Sequence, residues 1–314
     1  MIPPQDLFNA LRLCIAIGTK TTIVPTRCFM LDHLPQKIET IDDVRAWDDA
    51  AERHETPCGS GSIAWRKWGS GPPVIMCHGG SGSWTHWCKT IPVQSQTHTI
   101  WACDLPGLGD SASPADLSHP AGSAEALNIG IRQLIPREDR PRIVAFSFGC
   151  HISSLALTGL GDYIRDFLII GTSALGRTDR PIMDFPKERR DMTEAERADV
   201  HRGVLEMLMF HRPERIDDLA VQLQAENVAK ARFRSRIHSH TDNVKKAVGR
   251  TKVPIRCIWG ENDVVAYPDV PTVLEILGEH HPEMKATVIP DAGHWVMYEK
   301  GDEFNEALSA MLAD

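Results

Sequence analysis

Ile143-Val144-Ala145-Phe146-Ser147-Phe148-Gly149 carries an apolar run into a serine and then directly into a helix-like stretch from Gly149 to Leu160. A strand, a sharp turn through a serine and a helix together lift a hydroxyl out of a strained corner. Small flanking residues are needed for strand and helix to approach. Gly149 meets that need, and Ala145 stands where a second glycine is usual, with almost no side chain of its own. A serine that only caps a helix reads the same way over these five residues. The reading of Ser147 as a nucleophile therefore rests on what surrounds it.

Outward from this turn the chain alternates. Val74–Cys77, Thr99–Cys103, Ile143–Phe146, Phe167–Ile170, Ile255–Trp259 and Ala286–Ile289 are short apolar runs, with helical segments between most of them. Gly59–Gly61 reads as a hairpin turn into a strand over Ile63–Trp68. Apolar strands alternating with helices predict an α/β fold with a mostly parallel central sheet covered on both faces. Ligands bind such sheets at the carboxyl ends of the strands. His78-Gly79-Gly80, Asp104-Leu105-Pro106-Gly107-Leu108-Gly109, Ser147 and Gly260-Glu261-Asn262-Asp263 all fall at carboxyl ends.

One interval breaks the rhythm. Between Phe167–Ile170 and Ile255–Trp259 the chain is polar and helix-rich, with Val204, Leu205 and Leu208 on one face, and far longer than a crossover needs. From Gly176 to Arg250 it holds 16 Lys/Arg and 13 Asp/Glu, net +3 against −11 for the rest. The organisation expected is an N-terminal helical arm (1–54), a core (55–176 and 251–314) and an inserted helical lid (177–250). In the arm, Leu7, Leu11 and Ile15 fit a short amphipathic helix. Arg12 and Lys20 interrupt the apolar stretch Leu11–Val24, which is too short to span a bilayer and lacks the marks of a signal peptide.

The net charge of −8 argues against a nucleic-acid surface. Eight cysteines without a C-x-x-C pair, several inside apolar runs, read as small hydrophobes in a reduced, cytoplasmic protein. A small-molecule substrate is the expected partner, with no membrane insertion; homo-oligomerisation stays open.

A serine hydroxyl needs a base to take its proton and a carboxylate to orient that base. Both follow in the order serine, acid, histidine. His294, in Pro290-Asp291-Ala292-Gly293-His294-Trp295, is the base. Asp263 is the acid, preferred over Glu261, which directly follows the strand, and Asp291, which suits a turn. The oxyanion donors expected are the backbone N–H groups of Phe148 and Gly80, with Ser81 as alternative to Gly80. His78 reads as a loop-holding residue. Ser81, Trp84 and Trp295 are expected to contact substrate, and Trp87 suits the core equally well.

With these motifs in place the chain resembles the α/β-hydrolase fold superfamily, on His78-Gly79-Gly80, Asp104-Leu105-Pro106-Gly107-Leu108-Gly109-Asp110-Ser111, Ser147, Gly260-Glu261-Asn262-Asp263 and Gly293-His294, over roughly residues 60–313. The resemblance implies a serine hydrolase without cofactor or metal. Haloalkane dehalogenases and epoxide hydrolases of this fold use aspartate at the nucleophile position, which Ser147 disfavours. Gly293-His294-Trp295 with Tyr298-Glu299 is similar to carbon–carbon bond hydrolases of aromatic meta-cleavage products. Those enzymes carry Asn before the nucleophile and a Ser-Gly-Pro-Gly type loop, where this chain has Phe146 and Ser81-Gly82-Ser83-Trp84. A carboxylester hydrolase is the expectation, with that branch, a non-catalytic ligand binder and a cofactor-free peroxidase as alternatives.

Three further features have plain explanations. Met207, Met209 and Phe210 suit lid packing as well as substrate contact. Lys230, Arg232, Arg234 and Arg236 could attract an anionic substrate, but on a helix Arg234 would point away from the other two arginines, so a solvated face is the reading. His238, His240 and Asp242 lack the rest of a metal shell.

Overall fold

The computed structural model describes residues 31–176, 179 and 183–314. The amphipathic segment expected around Leu7, Leu11 and Ile15 lies outside them. Eight strands form one sheet in the order β1-β2-β4-β3-β5-β6-β7-β8. They are β1 (Glu52–Cys58), β2 (Gly61–Trp68), β3 (Pro73–Cys77), β4 (Thr99–Cys103), β5 (Arg142–Phe146), β6 (Phe167–Ile170), β7 (Ile255–Gly260) and β8 (Lys285–Ile289). β1 pairs antiparallel with β2 and β2 with β4; all remaining pairs are parallel. This is the expected mostly parallel α/β-hydrolase fold.

The central strand β5 is buried at every position because helices cover both faces. Alternate residues therefore enter opposite layers. Ile75, Cys77, Ile143 and Ala145 belong to one apolar core, with the helices Ala121–Leu134 and Phe148–Leu160. Val74, Met76, Val144 and Phe146 belong to the other, with Trp47, Phe304 and Leu308. Ile41–Asp49 starts with a capping box between Thr40 and Asp43 and buries Val44 and Trp47.

This revises the expected arm. Residues 41–49 pack into the core, and β1 begins at Glu52, before the expected boundary at 54. Its sequence, Glu-Arg-His-Glu-Thr-Pro-Cys, is polar because an edge strand keeps most of its side chains in water.

Beneath the loop after β4, the Arg66 guanidinium is 2 % exposed and reaches Asp104 at 3.1 Å, Asp110 at 2.6 Å and Asp48. Three carboxylates compensate a desolvated cation there, and hold its pKa above the ordinary arginine value against the opposing effect of burial.

Between β6 and β7 the chain forms Glu194–Val204, a wider π-helical turn over Leu205–Met209, Asp218–Lys230 and a 3₁₀ turn over Ser235–His238. Asn243–Val248 then buries Val244 and Val248 in the same core as Phe148–Leu160, so core packing resumes before residue 251. Among the described residues no helix is long and apolar enough to cross a membrane.

Candidate active site

Ser147 occupies the turn between β5 and the helix Phe148–Leu160 with φ +51°, a left-handed backbone that L residues adopt only under constraint. Its N–H is held by the Ile170 carbonyl at 2.8 Å. Gly149 has to be glycine: a Cβ there would stand 2.5 Å from the Cys77 carbonyl oxygen. Ala145 is fully buried in the strand.

His294 Nε2 lies 3.0 Å from Ser147 Oγ, and His294 Nδ1 lies 2.9 Å from each Asp263 carboxylate oxygen. The carboxylate makes Nδ1 the protonated nitrogen, which leaves Nε2 to accept from the serine hydroxyl. Asp263 and His294 are almost fully buried, and Val265 N–H donates to Asp263 Oδ1 at 2.8 Å. The geometry thus brings together a hydroxyl, an imidazole and an orienting carboxylate from the ends of three strands. Glu261 instead accepts from Asp291 N–H, and Asp291 pairs with Arg212 and Arg215. Those hydrogen bonds, from Arg215 first and then Arg212, push the Asp291 carboxyl down to about 2.

Phe148 opens its helix, where the first N–H groups have no intrahelical partner. Gly80 faces it: a Cβ on Gly80 would lie 3.5 Å from Phe148 Cβ and 2.2 Å from Ser235 Oγ, so only glycine fits. His78 is fully buried; its Nε2 accepts from Leu105 N–H at 2.8 Å and its Nδ1 donates to the Gly79 carbonyl at 2.7 Å.

A cavity of about 400 Å³ opens over Ser147, within the size range of small-molecule sites. Ser81 lines it, but Trp84 and Trp295 do not. Trp84 turns inward between Trp68 and the Arg66 guanidinium, and Trp295 packs on Tyr298 while its Nε1–H donates to the His86 carbonyl. Their large apolar rings fill core space next to the loops, as Trp87 does. Leu208 and Met209 line the cavity, whereas Met207 is exposed and Phe210 is in the core.

The expected helical run of basic residues ends at Lys230. Lys230 pairs with Asp110, Arg232 binds the Gly109 and Ser111 carbonyls, and Arg236 lines the cavity. His238 packs among Phe148 and Phe233, His240 lines the cavity and Asp242 pairs with Lys246. Among the described residues no three His, Cys, Asp or Glu side chains are placed to hold a metal.

Three contributors have no role in the sequence reading, Glu299 entering it only through the likeness of Tyr298-Glu299 to the carbon–carbon bond hydrolases. His86 accepts from Gly79 N–H through Nδ1, packs edge-on to Phe146, and is kept neutral by burial and by His78 and His294 nearby. Glu299, with a fully buried carboxylate, accepts from the N–H groups of Gly293, His211 and Arg212, tying the His294 turn to the segment before β7. Gly171 sits beneath the His294–Asp263 pair. Only a glycine directly after a strand hinted at it.

Comparison with known proteins agrees with this architecture. The family model described as "Alpha/beta hydrolase family" matches residues 74–307. The dihydrolipoyllysine-residue acetyltransferase component of the acetoin cleaving system of Pseudomonas putida is 25% identical over 260 residues, covering 77% of this chain. This chain spans just under two thirds of that protein's length, 64%. A 2-hydroxy-6-oxo-6-(2'-aminophenyl)hexa-2,4-dienoic acid hydrolase of Metapseudomonas resinovorans is 22% identical over 274 residues, 78% of this chain and 85% of its own. The solved esterase of Exiguobacterium antarcticum superposes with a TM-score of 0.67 at 19% identity, over 84% of this chain and 100% of its own.

Proposed function

We propose that this chain, which belongs to the alpha/beta hydrolase family, is a serine hydrolase that cleaves a small-molecule carboxylic ester through an acyl-enzyme on Ser147. The observation that carries the reading is the continuous path from Asp263 through His294 to Ser147 Oγ, at 2.9 Å and 3.0 Å, beneath one cavity.

His294 Nε2 takes the hydroxyl proton as Ser147 Oγ bonds to the ester carbonyl carbon, and Asp263 stabilises the imidazolium. The N–H groups of Gly80 and Phe148 hold the oxyanion that develops. The tetrahedral intermediate collapses, the carbon–oxygen bond to the alcohol breaks, and His294 gives that oxygen the proton. Water then repeats the sequence on the acyl-serine and releases the acid. Leu208, Met209 and Gln224 line the cavity from the 177–250 segment, which supports a lid role for it. The free, buried cysteines Cys58, Cys77, Cys88, Cys103, Cys150 and Cys257 support a reducing, cytoplasmic setting.

A second reading, carbon–carbon bond hydrolysis, draws on the similarity to the dienoic acid hydrolase. Phe146, with its ring 4.7 Å from the His294 imidazole, occupies the position where those enzymes carry Asn, and supplies no amide for a dienol. The test compares kcat/KM for aryl esters and a 2-hydroxy-6-oxo-dienoate on one preparation. Ester preference of about tenfold or more is expected, since one or two contacts discriminate by about 1–3 kcal/mol. A dienoate preferred by that same margin would reverse the order.

A further inference from the structure

Among the described residues that line the cavity over Ser147, Arg236 is the only permanently charged one, and neither Asp nor Glu is among them. Arg236 is exposed, and an exposed guanidinium can be engaged by a carboxylate or by several carbonyls. Arg232, four residues earlier, does so with the carbonyls of Lys230, Gly109 and Ser111. The Arg236 guanidinium instead lies 4.0 Å from the centre of the Phe185 ring, and among the described residues no ion pair or side-chain hydrogen bond engages it. Packing around it pulls its pKa down from the ordinary arginine value, with no neighbouring charge acting on it. Its five N–H donors are thus left for whatever enters.

Gln224 repeats the pattern from another element. It lies on the helix Asp218–Lys230, is 7 % exposed, and lines the same cavity. Its amide has no hydrogen-bond partner among the described residues and is not sealed away from the cavity, so its donors and acceptor remain for whatever enters. By contrast Asn227, one turn further on, is bonded to Ser83 and Thr85. The remaining polar lining consists of hydroxyls and imidazoles such as Ser173, Ser239, His151 and His240.

We infer that the substrate carries a carboxylate in addition to its ester, with Arg236 as its counter-ion and the Gln224 amide as a hydrogen-bond partner in the same cavity. The planar guanidinium fork matches a carboxylate in two parallel bonds, and stacking on Phe185 holds the fork in one plane at reduced entropic cost. This deepens the proposed ester hydrolysis and rests on it for the identity of the reacting bond.

The test pairs 4-nitrophenyl hydrogen glutarate, which is anionic, with neutral 4-nitrophenyl hexanoate, on wild-type, Arg236→Gln and Arg236→Lys proteins. Arg236→Gln should lower kcat/KM for the glutarate ester by about tenfold or more, as expected for a lost charge-assisted hydrogen-bond pair. The hexanoate ester should lose far less than the glutarate ester, and an unchanged urea midpoint shows that the variant is folded. Arg236→Lys should recover part of the loss. Equal effects on both esters, or no effect on either, overturn the inference while leaving ester hydrolysis intact. A second arm does not need turnover: calorimetry of glutaranilic acid and its neutral primary amide on Ser147→Ala, with and without Arg236→Gln. The acid should bind more tightly only where Arg236 is present. If wild-type protein cleaves neither ester, the reaction assignment falls and the binding arm alone decides, with equal affinities for acid and amide overturning the carboxylate site.

Discussion

The Cβ that Gly171 lacks would stand 2.9 Å from His294 Nδ1, and 3.0 Å from the Asp263 oxygen that pairs with it. The backbone of Gly171 has φ +56°, so a side chain there is opposed both by conformation and by space. A residue directly after β6, with no chemistry of its own, thereby sets how closely the imidazole and carboxylate can meet.

Gly171→Ala should lower kcat by about a hundredfold, the scale of a 1 Å misplacement at a reacting centre. KM should change little, because Gly171 does not line the cavity. The left-handed conformation costs a non-glycine residue about 1–2 kcal/mol, so the fold should survive. Steady-state kinetics beside a urea titration separates the two effects. Unchanged kcat would mean the pair tolerates displacement.

Asp263→Asn should reduce kcat by orders of magnitude, since an amide cannot stabilise the imidazolium and favours the wrong tautomer, with about 10⁴-fold known for such a change in another triad. Glu261→Gln should leave kcat near wild type, because among the described residues the Glu261 carboxylate hydrogen-bonds the Asp291 N–H and not His294. Reversal of the two results would move the acid role to Glu261.

The Arg66 cluster is a stability prediction. Arg66→Met leaves Asp104, with a 1 % exposed carboxylate, without its cation. Removing one partner of a buried pair costs about 3–5 kcal/mol. The urea midpoint should fall accordingly, and a loss below 1 kcal/mol would show that Asp104 is satisfied by Trp84 and Asp110 N–H alone.

Much of the site was legible because its parts lie immediately after strands. Ser147, Asp263 and His294 each follow an apolar run, so chain order alone brings them to one edge of the sheet. Side-chain direction beyond a turn has no such signal. Trp84 and Trp295 follow equally telling loops, yet turn into the core, where their area is better buried. β1 was hidden because a polar edge strand has no apolar run, only Thr56 and Cys58 facing inward. Arg236 is exposed as expected, but its place beside the cavity was not legible because helical spacing was extended past Lys230, where the helix has already ended.

Acid should weaken the fold in part through His151. Burial, helped by His238, pushes this imidazole down to about 3. Between pH 6.5 and 3 the unfolded chain takes up a proton at this position and the folded chain does not. Stability should therefore fall as pH drops through that window, by up to about 1.4 kcal/mol per pH unit from this group. His151→Gln should flatten the decline in urea-derived stability between pH 6.5 and 4.5. An identical slope in both proteins would mean that His151 is protonated in the fold.

The central claim is that Ser147 is a nucleophile activated by His294. A fluorophosphonate probe reports this directly, because phosphonylation requires an assembled, activated serine. Intact-mass analysis of wild-type protein should show a single adduct, and peptide mapping should locate it on Ser147. His294→Ala should slow labelling by orders of magnitude, and Ser147→Ala should abolish it together with ester turnover, apart from the residual catalysis, about 10³-fold over water in other triads, that oxyanion donors supply alone. An unlabelled wild-type protein, or an adduct that persists in Ser147→Ala, would contradict the account.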